Sequence, residues 1–337
     1  MDDGGVIPAA PRAALDALLE LAIVPSFSAI GLRVRRRLWS WADPEPAALD
    51  GRTALVTGAT GGLGRAAANA LAGLGARVVL VGRDLDRLEQ LRSELVAATG
   101  GAHGAERFPV HVADMSDIGS ARRLAQAVVA AETSLDIVVD NAGMIYPERT
   151  TAADGSEASM ALMALAPFAL VSGLLPLLRR SGDARVIAVT SGGMYTTALD
   201  VRDLDGTSLV YNGPRFYARA KRAQVALVRE WARRLRGSSI TVVAMHPGWA
   251  RTPGLSASLP GFDRLMAPIL RTPAEGVDTI TWLATVEASR LEPGCLYLDR
   301  RPRPFDRLPW TPLRAAERRA LWAEAVERCG GSDPFGA

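Results

Sequence analysis

The residues best suited to acid–base chemistry are a tyrosine and a lysine four positions apart, Tyr217 and Lys221. Of the 39 Lys and Arg residues in the chain, Lys221 is the only lysine. Residues four apart on a helix lie on the same face, one turn from each other. A lysine ammonium favours a nearby phenolate, so it is expected to lower the pKa of Tyr217 from about 10 towards neutrality. The pair therefore predicts a proton donor and acceptor that works near pH 7.

A glycine-rich turn follows the first apolar run of the chain, at residues 58–64. Glycines allow a tight turn and a close approach of the backbone to a pyrophosphate, and the N-terminus of the next helix faces the negative charge. Two spacings fit this turn: Gly58, Gly62 and Gly64 match T-G-x-x-x-G-x-G, whereas Gly58, Gly61 and Gly64 match G-x-x-G-x-x-G. Strand, loop and helix together favour a dinucleotide site over a purely structural turn.

The choice between NAD and NADP is predicted from the residues after the second strand. An acidic residue at the strand end would bind the ribose hydroxyls of NAD, whereas an arginine accepts the 2′-phosphate of NADP. Gly82 occupies the strand end, Arg83 follows it, and Arg65 at the start of the first helix could reach the same phosphate. Asp84 argues for NAD, although it is better placed to cap the next helix. These residues favour NADP over NAD.

Polar residues and turns also follow the later strands. Asp114 follows the third strand, where it could contact the adenine side of a nucleotide or cap a helix. Asn141 ends the fourth strand, and its amide could brace the sheet edge. The turn Pro247-Gly248 follows the sixth strand and would hold that loop close to a nicotinamide, with Thr252 able to contact the carboxamide or the phosphates. His246 is expected to be structural.

The elements that must position these residues alternate strictly between strand and helix. Alternating strands and helices, with strands apolar throughout, predict a parallel sheet covered on both faces. The fold class is therefore α/β with a doubly wound parallel sheet, in a single domain with helical terminal extensions. The predicted strands are 53–57, 77–81, 108–112, 135–139, 184–190, 239–245 and 295–298, and the predicted helices are 64–74, 84–98, 116–131, 155–178, 214–236 and 272–286.

Terminal extensions flank this domain, which is expected to cover residues 51–300. In the extension 1–50, a short helix over 13–24 is predicted to end at Pro25. Residues 26–41 combine apolar side chains with four arginines, which predicts either a basic amphipathic helix on a membrane surface or a helix packed on the main domain or a second subunit. The tail 301–337 is proline-rich and then helical.

Composition narrows the class of protein further. A hydrophobic fraction of 48%, a charged fraction of 22% and a net charge of +3 describe a globular protein with a sizeable core and without a nucleic-acid-binding stripe. The two cysteines form no disulfide framework, which suits a cytoplasmic location, with membrane association through 26–41 as the alternative. The histidines (His103, His111 and His246) have no metal-ligand spacing. Neither a signal peptide nor a membrane-spanning segment is expected, because the start is acidic and the best apolar run, 18–32, is broken and short.

Together these motifs resemble the short-chain dehydrogenase/reductase family, in its single-domain Tyr-x-x-x-Lys form. The resemblance covers about residues 51–300, and it implies a Rossmann-type fold and oxidoreductase activity. It rests on the glycine turn 57–64, Asp114, the Asn-Ala-Gly turn 141–143, Ser191, Tyr217 with Lys221, and Pro247-Gly248 with Thr252. Within the family, segments 190–195, 217–222 and 245–250 are similar to the branch of dehydrogenase/reductase SDR family member 12.

The resemblance also implies roles for individual residues. Tyr217 is the expected general acid/base, Lys221 lowers its pKa and holds the nicotinamide ribose, and Ser191 polarises the substrate oxygen. The implied cofactor-binding residues are Thr57, Gly58, Gly62, Leu63, Gly64, Arg65, Arg83, Asp114, Asn141, Ala142, Gly143, Tyr217, Lys221, Pro247, Gly248 and Thr252.

One position departs from the family pattern. Where the family has an asparagine that holds a water behind the lysine, this chain has Met163, whose sulfur is a weak acceptor and no donor. Two functions are therefore weighed: an NADP(H)-dependent enzyme that interconverts a carbonyl and an alcohol, and a non-catalytic NADP(H)-binding sensor or scaffold.

The apolar segment 251–270 is expected to cover the pocket, which favours an apolar small-molecule substrate. The family often forms homodimers, which the terminal extensions could block.

Overall fold

The computed structural model of the chain describes residues 9–101, 104–331 and 333. His103, one of the three histidines, lies outside these residues. Within them, no group of three or more His, Cys, Asp or Glu side chains is arranged to hold a metal ion.

The centre of the molecule is an eight-stranded sheet in the order β3-β2-β1-β4-β5-β6-β7-β8. Every neighbouring pair is parallel except β7 and β8, which are antiparallel. The strands are β1 (Thr53–Thr57), β2 (Arg77–Gly82), β3 (Val110–Val112), β4 (Ile137–Asp140), β5 (Ala184–Val189), β6 (Ile240–Met245), β7 (Leu296–Leu298) and β8 (Arg301–Arg303).

Helices cover both faces of this sheet and lie towards both ends of the described part of the chain. The helices are α1 (Ala9–Leu21), α2 (Ile23–Phe27), α3 (Ala29–Leu38), α4 (Gly62–Gly73), α5 (Leu85–Ala98), α6 (Ile118–Ala131), α7 (Ala158–Met160), α8 (Ala166–Ser181), α9 (Gly213–Arg234), α10 (Pro253–Ser258), α11 (Pro260–Met266), α12 (Pro273–Thr285) and α13 (Ala315–Arg328). A π-helical turn, Ala161–Leu165, joins α7 to α8.

Alternation along the central strands divides the core into two layers. Successive side chains of a strand point to opposite faces of the sheet. Accordingly, Leu55 of β1 packs in one buried cluster with Val138 and Val186, whereas Val56 packs in the other with Val139 and Ile187. Both faces of the sheet are therefore buried, which confirms the Rossmann-type α/β fold predicted from the sequence.

The strand order reverses direction next to β1. From β1 the chain passes to β2 and β3 on one side, and it then returns to β4 on the other side of β1. In doubly wound sheets, ligands bind in the crevice beyond the carboxyl ends of the strands at such a switch point. The glycine turn after β1 and the Asn141 turn after β4 both lie at this crevice.

Several local predictions were wrong in detail. Pro25 does not end a helix, because it lies inside the short helix α2. The predicted continuous helix 155–178 contains the π-helical turn. The structure adds α10, α11 and β8, which were not predicted and which begin at or contain prolines. Proline fixes one backbone angle and lacks an N–H, so it is tolerated at the start of a helix and on an edge strand.

The N-terminal helices α1–α3 pack against the domain through buried charge. Arg35 is fully buried and forms ion pairs with Asp16 and Glu20 of α1 and with Asp299 after β7, each at 2.7 Å. Of the two predictions for residues 26–41, packing on the main domain is therefore observed. The one described helix that is long and apolar enough to cross a membrane, Ala158–Ser181, is mostly buried in the core.

Candidate active site

The glycine turn between β1 and α4 brings backbone N–H groups to the crevice. Gly58 and Gly62 have positive φ angles of 65° and 52°, which L side chains rarely adopt. A Cβ on Gly64 would overlap the Gly58 carbonyl oxygen and lie 2.5 Å from the Asn141 Nδ2 atom. Gly61 is extended, and a Cβ there would meet nothing within 4 Å. The backbone thus requires glycine at 58, 62 and 64, and this cradle at a helix N-terminus fits a dinucleotide pyrophosphate.

Thr57 and Asn141 join the two turns that flank the switch point. The Thr57 hydroxyl accepts hydrogen bonds from the backbone N–H groups of Asn141 and Ala142, at 2.9 and 3.0 Å. The Asn141 side-chain amide donates to the Thr57 carbonyl oxygen at 2.9 Å. The structure thus gives these two cofactor-contact candidates a scaffolding role that holds the glycine turn against β4.

The loop after β6 closes over the same turn. A Cβ on Gly62 would lie 3.2 Å from the Thr252 methyl carbon, so the two loops touch. The Thr252 hydroxyl accepts the Leu255 backbone N–H at 3.2 Å and thereby caps α10. Gly248 has a φ of 70°, and the Pro247 carbonyl oxygen accepts a hydrogen bond from the buried Arg271 at 3.1 Å. Thr252 therefore lies where it can face a bound pyrophosphate.

The candidates for binding a 2′-phosphate differ in their availability. Arg83 is exposed at the carboxyl end of β2 and forms no ion pair among the described residues. Arg65, at the start of α4, is ion-paired with Glu94 of α5. Asp84 accepts the Arg87 backbone N–H at 3.1 Å and caps α5, the role that the sequence favoured over a ribose contact.

Asp114 lies half-buried after β3. Its carboxylate accepts hydrogen bonds from the Ser116 backbone N–H and hydroxyl, at 2.9 and 2.7 Å. Asp117, and not Asp114, caps helix α6. The helix-cap alternative for Asp114 is therefore wrong, and the residue shapes the turn after β3 instead.

Ser191 and Tyr217 meet beyond the carboxyl end of β5. The Ser191 hydroxyl lies near the Tyr217 phenol. Ser191 also accepts the Gly193 backbone N–H at 3.1 Å, which fixes its rotamer at the start of a 3-10 turn. Two hydroxyl groups, one of them on a helix, thus converge on a single point where a substrate oxygen could bind.

The protonation of Tyr217 differs from the sequence-based expectation. Burial raises the pKa of Tyr217, and the nearby Ser191 hydroxyl opposes that rise only in part. The Lys221 amine lies 5.9 Å from the centre of the Tyr217 ring and is bonded to other groups. In the described chain alone, Lys221 therefore does not lower the pKa of Tyr217.

Lys221 is held by a chain of buried polar groups. The side chain is 2% exposed, and its amine donates to the Val189 carbonyl oxygen at 2.7 Å and to the Gln224 Oε1 atom at 3.3 Å. The Gln224 amide in turn donates to an Asp140 carboxylate oxygen at 2.7 Å. The other Asp140 oxygen, also buried, has no hydrogen-bond partner among the described residues. Asp140 ends β4, so this series of hydrogen bonds connects Lys221 on α9 to the switch point of the sheet.

Burial shifts the protonation of both ends of this chain. Burial lowers the pKa of Lys221 to about 8, and the charge of Asp140 opposes that shift. Burial raises the pKa of Asp140 to about 6, whereas Lys221 and the Gln224 hydrogen bond oppose it. Near pH 7 the two groups therefore form a buried, oppositely charged pair bridged by an amide.

Met163 lies beside Lys221, in the π-helical turn. A Cβ on Gly143 would lie 3.1 Å from the Met163 sulfur and 3.5 Å from the Lys221 amine. Gly143 thus leaves room for both side chains. π-Helical turns inside helices are frequent at functional sites, and this one carries the residue that departs from the family pattern.

The wall of the site next to Ser191 comes partly from the N-terminal extension. The Phe27 ring packs edge-on against His246 and Trp249, with ring centres 4.6 and 5.9 Å apart. A Cβ on Gly192 would collide with the same ring, at 2.6 Å. His246 is fully buried, and burial lowers its pKa to about 3, so the imidazole is neutral and packs as an aromatic ring.

Three contributors to the site were missed by sequence reasoning. Gln224 follows Lys221 by three residues on α9, so helical spacing could have placed it on the same face. Asp140 directly precedes Asn141 and could have been read as part of the same turn. No local signal could have found Phe27, because its partners lie more than 150 residues away in the sequence.

The sequence of the chain is similar to a known protein family and to several of its members. The family model described as short chain dehydrogenase matches residues 52–260. Dehydrogenase/reductase SDR family member 12 from Bos taurus is 36% identical over 255 residues, which are 75% of this chain and 78% of that protein. Retinol dehydrogenase 14 from Mus musculus is 36% identical over 254 residues, 71% of this chain and 75% of that protein.

A solved structure shares the fold. The NADP active-site complex of Pseudomonas aeruginosa RhlG superposes with a TM-score of 0.60 and 28% sequence identity, over 75% of this chain and 96% of that chain.

Proposed function

The chain belongs to the short-chain dehydrogenase/reductase family and is an oxidoreductase that binds a nicotinamide cofactor, and from this premise we propose its reaction. The proposed enzyme uses NADP(H) to interconvert a carbonyl and a primary or secondary alcohol on an apolar small molecule. The observation that carries the proposal is the proximity of the Ser191 hydroxyl to the Tyr217 phenol, with Lys221 one helical turn away on α9.

The proposed cofactor site uses the whole crevice. Gly58, Gly62 and Gly64 leave space for the pyrophosphate at the start of α4, while Thr252 closes over it. Arg83 is the proposed partner of a 2′-phosphate, because it is exposed and forms no ion pair in the described part of the chain, whereas Arg65 is already paired with Glu94. The other proposed contacts, assigned by family resemblance, are Thr57, Leu63, Asp114, Asn141, Ala142, Gly143, Pro247 and Gly248. When bound, the nicotinamide supplies the hydride.

Tyr217 would transfer the proton, and Ser191 would orient the substrate oxygen that receives it. Ser191 would donate a hydrogen bond to the carbonyl oxygen and polarise it. Tyr217 would donate its phenolic proton to that oxygen as the carbonyl carbon accepts the hydride, so one hydride and one proton give the alcohol. In the opposite direction, the Tyr217 phenolate would remove the hydroxyl proton.

Asp140 and Gln224 are proposed as positioning residues for Lys221. Met163 cannot donate a hydrogen bond, so a side-chain amide must come from elsewhere. Gln224 provides one on the same helix, and its donation to Asp140 fixes which amide atom faces the lysine. The Asp140 charge also favours the ammonium form of Lys221, which would anchor a ribose.

An apolar substrate is supported by the residues around the opening. Phe27, Trp249 and Phe262 pack as a continuous aromatic group, with the last two ring centres 5.1 Å apart. Helices α10 and α11, which carry Phe262, have no buried residues and form an exposed flap over this group. Retinol dehydrogenase 14, a relative by sequence, is named for an apolar alcohol.

A panel of apolar ketones, aldehydes and alcohols tests the proposal, with NADP(H) and NAD(H) run in parallel. We expect turnover of at least one apolar compound, with NADP(H) preferred. The matched control is Tyr217→Phe, which should bind NADPH and turn over none of the panel. Binding of NADPH without turnover of any compound would instead support the sensor or scaffold function.

A further inference from the structure

The N-terminal helical unit, residues 9–38, has polar groups inside and apolar groups outside. Asp16 of α1 is 3% exposed, and Glu20, one turn later, faces the same buried cluster. Leu18 and Leu21 on the opposite side of α1 are 64% and 79% exposed. Soluble proteins normally bury the apolar face of a surface helix and expose the charged one. The orientation of α1 is therefore the reverse of the usual one.

The buried charges hold this orientation in place. Asp16 pairs with Arg303, at 3.0 Å, as well as with Arg35, and Glu20 pairs with Arg35 and Arg307. Arg35 also pairs with Asp299, which bonds the buried Arg271. Because the acids of α1 are anchored to arginines of the domain and tail, the leucines of α1 must face outward.

The outward side of the unit concentrates the exposed apolar surface of the protein. Of the twelve large apolar side chains that are exposed among the described residues, seven belong to this unit. Monomeric soluble proteins rarely expose so many large apolar side chains in one region without an interaction partner. The seven are Leu15, Leu18, Leu21, Ile23, Val24, Ile30 and Val34.

The charges on the exposed side of the same unit are all of one sign. Arg33, Arg36 and Arg37 are exposed on α3, whereas both acids of residues 10–38 face inward. Arg33 and Arg36 form surface ion pairs with Glu275 and Asp43, which are weak enough to exchange for other anions. A partner with an apolar interior and an anionic surface complements this combination.

We propose that the outward face of residues 9–38 docks on the surface of an anionic lipid bilayer. The leucines and isoleucines of α1–α3 enter the boundary between headgroups and acyl chains, while the arginines of α3 contact the phosphates. At 13 residues, α1 is shorter than the roughly 20 residues needed to span a bilayer, so the helices lie on the surface. This unit also contacts the segment that follows α10 and α11, since the Ala29 backbone N–H donates to the Ile269 carbonyl oxygen.

A second copy of the chain complements this face less well. A two-fold dimer would place the same patch against itself, and Arg33, Arg36 and Arg37 would then meet their own copies. Like charges brought together across an interface cost affinity. The bilayer is therefore the occupant that the charge pattern favours, and this choice does not depend on the proposed reaction.

Vesicle co-sedimentation of the full chain tests the proposal, with phosphatidylcholine vesicles with and without phosphatidylserine. The wild type should bind the phosphatidylserine vesicles and release partly at high salt. Leu15→Asp/Leu18→Asp/Leu21→Asp should bind at least about 100-fold more weakly, because three apolar anchors are lost. The matched control, Val210→Asp/Trp310→Asp, changes exposed apolar residues outside the unit and away from Arg83, and it should bind like the wild type.

A second variant separates charge from apolar insertion. Arg33→Gln/Arg37→Gln should lose about 25-fold in binding to phosphatidylserine vesicles and little on phosphatidylcholine alone. Unchanged melting temperature and NADPH binding establish that each variant is folded. Failure of the wild type to bind phosphatidylserine vesicles overturns the proposal, as does wild-type binding by the triple Asp variant. A wild-type dimer in sedimentation velocity that the triple variant converts to monomer would assign the face to a second copy.

Discussion

The cofactor side of the site is built from backbone, whereas the proton-transfer side is built from side chains of separate segments. Gly58, Gly62 and Gly64 lie within one turn between β1 and α4. By contrast, Lys221 depends on Gln224 from its own helix and on Asp140 from β4, more than 80 residues earlier. The first side is one local turn that the Asn141 amide braces from β4. The second side has no local core and exists only when the sheet is assembled.

This difference predicts that substitutions on the two sides affect different properties, cofactor binding on one side and turnover on the other. A change in the glycine turn removes the space for a cofactor, so it should abolish binding and with it all activity. A change in the Asp140–Gln224–Lys221 chain leaves the turn intact, so it should alter turnover and its pH dependence while cofactor binding remains. Separate measurement of cofactor affinity and turnover distinguishes the two sides.

The largest effect is expected at Gly64. In Gly64→Ala the added Cβ overlaps the Gly58 carbonyl oxygen, so we expect a loss of about 2 kcal/mol or more in the free energy of unfolding. NADPH affinity should fall at least about 30-fold, since the backbone must move to relieve the overlap. Denaturant unfolding and fluorescence titration measure both quantities.

Gly61→Ala is the matched control for this prediction. Its Cβ meets nothing within 4 Å, so stability should change by less than about 0.5 kcal/mol. Equal losses in both variants would mean that the turn uses the alternative spacing with Gly61.

A smaller effect is expected from Asp140→Asn, which removes a charge but keeps an oxygen that accepts from Gln224. Because the Asp140 charge opposes the burial of the Lys221 ammonium, its removal should lower the pKa of Lys221 below the present value of about 8. The ammonium would then be lost at a lower pH, so activity on the alkaline side should fall earlier as the pH rises. We expect the alkaline limb of the pH–rate profile to shift to lower pH, by about 0.5 to 1 pH unit.

The control for this shift is Asp86→Asn, on the exposed surface of α5. A pH–rate profile that stays unchanged in Asp140→Asn would show that the carboxylate is only a structural partner of Gln224.

Gln224→Leu should lower kcat by about 10-fold with little change in NADPH affinity, since it removes the amide between the two charges.

The smallest effect is expected at Arg83 and concerns the choice of cofactor alone. Arg83→Gln should weaken NADPH binding by about 10-fold and leave NADH binding unchanged, because only NADPH carries the 2′-phosphate. Arg65→Gln should have a smaller effect, since Glu94 already pairs with that arginine. A larger loss in Arg65→Gln than in Arg83→Gln would reassign the phosphate contact to α4.

Much of the fold could be predicted because its signals are local. The strand Thr53–Thr57 was predicted with its observed bounds, since an apolar run ends at a glycine. The sheet and its two covered faces followed from strand–helix alternation. In contrast, the π-helical turn Ala161–Leu165 was missed, because an apolar run carries no periodicity that separates a π turn from an α-helix.

The inverted orientation of the N-terminal unit could not be predicted for a different reason. Sequence periodicity shows that α1 has an apolar side and an acidic side, and burial of the apolar side is the default. The deciding partners of the acids on α1 are Arg303 and Arg307, which pair with Asp16 and Glu20 across 287 residues of sequence. The positions of Phe27 and Asp140 in the site depend on contacts of the same long-range kind.

The most direct test of the central claim measures NADPH affinity and turnover together in Tyr217→Phe. We expect an affinity within about 2-fold of the wild type, because the glycine turn is unaffected, and a kcat lowered by about 100- to 10,000-fold, because the proton donor is lost. Turnover close to the wild-type value in this variant would show that the proton comes from another group and that Tyr217 is not the acid/base.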